Sequence, residues 1–137
     1  MKTVLIALLL VGLVAIGGFA LVAHRDNQRL LANVAKENAA DVIQLVRLRE
    51  SLSASSDPAV ADQIDGQLFG KLVQLELRAD SLDEEMKKRL GREFAKLKTT
   101  WTKTPPRGVT QQSIDFVEKL CTLNPACPSG QIRPREA

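Results

Sequence analysis

Residues 4–23 read VLIALLLVGLVAIGGFALVA, a run with no charged side chain, no strongly polar one and no Pro. A helix rises about 1.5 Å per residue, so this stretch is roughly 30 Å long as a helix, matching the hydrocarbon core of a bilayer. Lys2 flanks one end; His24, Arg25 and Asp26 flank the other. The expected element is a transmembrane helix over residues 1–24. The competing reading is a secretory signal peptide cut after Gly18-Phe19-Ala20, where small residues stand at the −3 and −1 positions. The apolar run continues through Leu21-Val22-Ala23, past that site, which favours a retained anchor.

Downstream, neither Gly nor Pro occurs between Phe19 and Asp57. The membrane helix is therefore expected to run on without a break to about Leu52. Leu31, Ala35, Ala39, Val42 and Val46 recur at spacings of three and four, an apolar stripe suited to packing against other helices. Leu30, Val34, Ile43, Leu45 and Leu48 widen it beyond the narrow seam of a two-stranded coiled coil.

Asp57-Pro58 opens a second helix, with Asp as N-cap and Pro at the first helical position. Val60, Ile64, Leu68, Leu72, Leu75 and Ala79 form its expected buried face. Gly66 and Gly70 lie four apart on one side of this helix, where they either admit close approach of a partner helix or are two tolerated glycines costing about 1 kcal/mol each in helix propensity; close packing within the bundle is the expectation. Ser81-Leu82-Asp83-Glu84 reads as a capping box opening a third helix. That helix carries the cleanest stripe in the chain: Leu82, Met86, Leu90, Phe94, Leu97 and Trp101. Its acids come early and its Lys and Arg late, which complements the helix dipole. Thr104-Pro105-Pro106-Arg107-Gly108 is a loop no helix can cross. A fourth helix is expected from Thr110 to Leu123, with Asn124-Pro125 ending it. The soluble domain then spans residues 25–127, and residues 128–137, PSGQIRPREA, read as a disordered tail.

The fold class is thus all-α: an N-terminal transmembrane helix continuous with a long helix, followed by a small antiparallel helical bundle. Aromatic content is 4% with no Tyr, which suits a core of Leu, Val and Ala. Net charge is +3 without a basic stripe interleaved with aromatics, so nucleic acid is not an expected partner. His24, the single His, borders the apolar run and makes a poor general base. Carboxylates such as Asp62 and Asp65 are expected on polar faces. No catalytic, cofactor or metal constellation emerges, and an enzyme is not expected.

Two features bear on partners and compartment. Cys121 and Cys127 enclose CTLNPAC, and a disulfide between them would pin the chain after the fourth helix; free thiols or an intermolecular bond are the alternative. Gly66, Gly70 and Trp101 are the candidate partner surface, although the place of Trp101 at the end of the third helix's apolar stripe favours core capping over a binding anchor. Counting Lys and Arg, Arg25, Arg29 and Lys36 outweigh Lys2 and lean toward a cytoplasmic domain. The short N-terminal flank and the cysteine pair lean toward an extracytoplasmic, periplasmic one, which is the expectation. In layout alone the chain resembles bitopic bacterial envelope proteins, such as inner-membrane spanin subunits or small division-complex components. The expected role is structural or protein-binding in the cell envelope, with the lipid bilayer and another protein as partners. The alternative is a tethered sensory or regulatory domain holding a small ligand in the bundle.

Overall fold

The computed structural model describes residues 2–52 and 57–134, and the side chains from residue 20 onward. Four α-helices follow one another: α1 (Lys2–Leu52), α2 (Pro58–Glu76), α3 (Glu84–Lys103) and α4 (Gln111–Cys121), with a 3-10 turn, Ala79–Ser81, between α2 and α3. No strand occurs among the described residues. Helix α1 packs on α2 and α3, and α4 packs chiefly on α3.

The absence of Gly and Pro between Phe19 and Asp57 lets α1 run on as a single helix. Among its described side chains, those from Ala35 onward join the bundle. Ala35, Ala39, Val42 and Val46 are fully buried, whereas Leu21, Val22, Leu30 and Leu31 are exposed. The stripe expected to start at Leu31 therefore starts at Ala35, and among the described side chains those of residues 20–34 stay out of the core. Among the described residues no helix is long and apolar enough to cross a membrane. The greater part of the apolar run, residues 4–19, lies outside the residues whose side chains are described.

Helix α2 begins as its sequence dictates, the Asp57 carboxylate accepting from the Ala59 N–H at 3.0 Å with Pro58 at the first position. Its inner face is Ile64, Leu68, Leu72 and Leu75; Val60, expected inside, is 39% exposed at the helix's first turn. The start of α3 differs from expectation. Ser81 belongs to the 3-10 turn, and Asp83 is the N-cap, accepting from the Met86 N–H at 2.8 Å. The aspartate two residues on supplies the cap because the 3-10 turn carries the chain through Ser81 before α3 begins, and no capping box forms. The α3 stripe is inside as expected: Leu90, Phe94, Leu97 and Trp101 are all buried, and Met86 packs partly against them. Phe94 meets Phe116 of α4 edge to face at 6.3 Å between ring centroids, a favoured aromatic geometry.

Close approach of backbones occurs at Gly91. A Cβ there would lie 2.6 Å from the Leu120 carbonyl oxygen of α4, so only glycine fits. A Cβ at Gly66 or Gly70 would meet nothing within 4 Å. The expectation of close intramolecular packing at those two positions is corrected: α2 turns them away from its own bundle.

The segment after α4 is also ordered differently from expectation. Asn124 accepts the Ala126 N–H on its side chain and the Cys127 N–H on its carbonyl, which folds the chain back on itself. Ile132 is buried in the core, and its N–H donates to the Glu118 carboxylate at 3.0 Å. Residues 128–134 are thus anchored by one apolar side chain and one charge-assisted hydrogen bond, in place of the disordered tail expected from composition; residues 135–137 lie outside the described residues.

Candidate functional site

The most unusual buried chemistry lies where α1, α2 and α3 meet. Arg49 and Asp65 are among the most buried side chains, at 2% and 1% exposure. Arg49 Nε donates to Asp65 Oδ1 at 2.9 Å, and the Trp101 indole N–H donates to the same oxygen at 3.0 Å. The other carboxylate oxygen, Oδ2, is buried without a hydrogen-bond partner. Asp65, expected on a polar face, is thus inside, because it follows Ile64 and precedes Leu68 by three, on the core side of α2. Trp101, one of the three candidate partner-surface residues, is fully buried. Its indole stands at the end of the α3 stripe with its polar edge committed to Asp65, so it is not available to a partner. One carboxylate fixed by helices on either side sets the relative register of all three. Burying an ion pair costs desolvation that its attraction only partly offsets, so its effect is felt mainly when one member is removed.

A second charged group links α1 and α3 nearer the surface. Arg47 donates to Glu93 at 2.8 Å, and Lys96 Nζ lies 3.3 Å from the other Glu93 oxygen, at ion-pair distance without hydrogen-bond alignment. Burial alone would raise the Glu93 pKa, but the Arg47 hydrogen bond and the positive charges of Arg47 and Lys96 outweigh it and hold the carboxyl below its ordinary range. Lys36 of α1 bridges to Asp83 at 2.9 Å. That hydrogen bond, joined by the Met86 N–H, lowers the Asp83 pKa, and the same contact raises that of Lys36.

Gly66 and Gly70, the remaining candidate partner residues, are both exposed. Gly70 lines a surface groove of about 480 Å³ between α1 and α2, with Leu45 and Leu48 on one wall and Gln67 and Gln74 on the other. The Asp41–Lys71 ion pair, at 2.6 Å, also borders this groove. The α1 wall thus sets Gln44 and Asp41 beside the two leucines, and the α2 wall sets Lys71 and two amides around Gly70, a mixed apolar and polar surface suited to contact.

Cys121 and Cys127 stand at disulfide distance with their Cα atoms 5.5 Å apart, inside the range the bond requires. Cys121 is fully buried at the end of α4, and Cys127 packs partly against the core. His24 is exposed and shares a hydrogen bond with Gln28 at 2.9 Å, one turn along α1 and away from the bundle. Among the described residues no group of three His, Cys, Asp or Glu side chains is placed to hold a metal ion.

No family model, curated protein or solved structure matches the chain.

Proposed function

We propose that this chain is a single-pass, membrane-anchored helical module whose bundle binds another protein of the cell envelope, on the extracytoplasmic side. The observation that carries this reading is the join between residues 4–23 and the bundle. An apolar run of bilayer length feeds, with neither Gly nor Pro after Gly18 until Pro58, into a helix in which, among the described residues, buried side chains begin at Ala35. About ten residues of exposed helix after His24 form a spacer of roughly 15 Å, which suits a module held off a bilayer surface. The cysteine pair supports the extracytoplasmic side, because a disulfide persists in oxidising compartments and not in a reducing cytosol.

Two measurements test the reading together. After alkaline carbonate extraction of membranes, the chain should stay in the pellet. In intact cells a thiol-alkylating reagent should label neither cysteine until a reductant is added. Release into the supernatant would refute the anchor; labelling of both thiols without reductant would refute the extracytoplasmic placement.

A further inference from the structure

Helix α2 differs from its neighbours in what it shows to solvent. None of its exposed residues is charged, whereas most exposed positions on α3 are Lys, Arg or Glu. Charged residues are 26% of the chain, so a 19-residue helix whose charged side chains are all at least partly withdrawn from solvent is a departure to be explained. The charges of α2 exist, but each is turned onto another part of the same chain. Asp65 pairs with Arg49, Lys71 with Asp41 and Asp62 with Arg107, the last at 3.9 Å, while Glu76 accepts from Gln112.

What remains outward has a definite pattern. Ala59, Gln63, Gly66, Gly70, Val73 and Leu77 are all exposed, at alternating spacings of four and three. That is the a/d repeat of a narrow helix–helix seam. Val73 is 37% and Leu77 79% exposed, so the seam ends in two large apolar side chains on the surface. In its middle, Gly66 and Gly70 leave open space above the backbone. Glycines inside an exposed helix weaken it, and no contact within the bundle accounts for them. The groove walled by Leu45 and Leu48 runs beside Gly70 and offers apolar surface next to the seam.

We infer that this seam is where a second copy of the chain docks, α2 against α2, in parallel. The choice of occupant rests on charge. Two chains anchored in one bilayer, as proposed above, are related by an axis along the membrane normal, so their α2 helices run in the same direction. In a parallel seam every residue faces its own counterpart, and any charge there would meet an identical charge. A self-pairing face must be neutral along the seam, and this one is. A partner of different sequence imposes no such condition and ordinarily exploits charge for specificity. The seam is short and holds Gln63 and two glycines, so its affinity is modest in dilute solution. Confinement of both copies to one membrane raises their effective concentration.

The test uses the full chain in its membrane, with the native cysteines retained. Gly70→Cys and Gln63→Cys chains, under mild oxidant, should yield a disulfide-linked species of twice the chain mass, while Lys88→Cys on α3 should not. A Gly66→Glu/Gly70→Glu chain, labelled for energy transfer between copies, should lose at least ten-fold in dimer fraction. Unchanged Trp101 emission would show that its bundle remains folded. Cross-linking no greater than at Lys88→Cys, or capture chiefly of a species of another mass, overturns the inference. Carbonate extraction of the same membranes separates the two claims. A chain that is extracted yet cross-links at Gly70→Cys loses the anchor and keeps the dimer; one that stays in the pellet and does not cross-link loses the dimer alone.

Discussion

Replacing Gly91 by alanine should destabilise the bundle, although alanine is the better helix former. The added Cβ would sit 2.6 Å from the Leu120 carbonyl oxygen, so α4 must retreat by most of an ångström to reach ordinary contact. It is not free to do so. Phe116, Val117, Leu120 and Cys121 are buried in the core where α4 packs on α3 and α2, and the end of α4 is tied to the following segment at Cys127. Overpacking of a well-filled contact costs about 1–3 kcal/mol, and the gain in helix propensity over glycine returns about 1 kcal/mol. The expected net loss is up to about 2 kcal/mol. For a domain of this size 1 kcal/mol moves the midpoint by about 4–8 °C. Gly70→Ala is the internal control: its Cβ meets nothing within 4 Å, so it should stabilise by about 0.4–1 kcal/mol. Thermal melts followed by circular dichroism, at concentrations where the chain is monomeric, measure both. A Gly91→Ala protein melting as high as Gly70→Ala would refute the close α3–α4 contact.

Three further outcomes follow from the polar contacts. Asp65→Ala strands Arg49 in the core and should cost about 3–5 kcal/mol in urea unfolding; Arg49→Met with Asp65→Leu, which removes both charges, should recover much of it. Glu93 has its pKa lowered on folding from an ordinary value of 4.5. The unfolded chain then takes up the proton first, so the contribution is fully present above about pH 4.5 and fades as pH falls through the lower folded value. Urea midpoints against pH should show an acid limb that Glu93→Gln flattens. Ile132→Ala should raise amide exchange over residues 129–134 while leaving the α1–α2 contact unchanged; equal exchange in both proteins would show that the segment does not depend on this side chain.

The helices were legible because their apolar residues recur at three and four over many turns, and a helix that long averages out single exceptions. Asp57-Pro58 and the cysteine pair were legible for a different reason: each is a local arrangement whose geometry follows from chain connectivity. What escaped the sequence was the identity of polar residues on core faces. Arg49 continues the Val42–Val46 spacing and Asp65 precedes Leu68 by three, so periodicity itself placed both inward. Their opposite signs on two neighbouring core faces were the available signal. Glycines misled for a related reason. Gly66 and Gly70 stand out as a pair, yet helical phase turns them outward, while the single Gly91 beside Leu90 faces α4. Ile132 gave no periodic signal, since one apolar residue in an extended polar segment has no repeat to belong to.

Helix α1 enters the bundle as one uninterrupted rod, and that ties direction to count. Each residue added to its exposed stretch would turn everything beyond it by about 100° and shift it by about 1.5 Å along the axis. Whatever grips the N-terminal end of α1 therefore fixes the azimuth of α2 as well, and a twist applied there reaches the seam as a rotation with no hinge to absorb it. Spacer length in this chain acts as a compass setting, and changing it by one residue would point the neutral face of α2 somewhere else while leaving the bundle itself untouched.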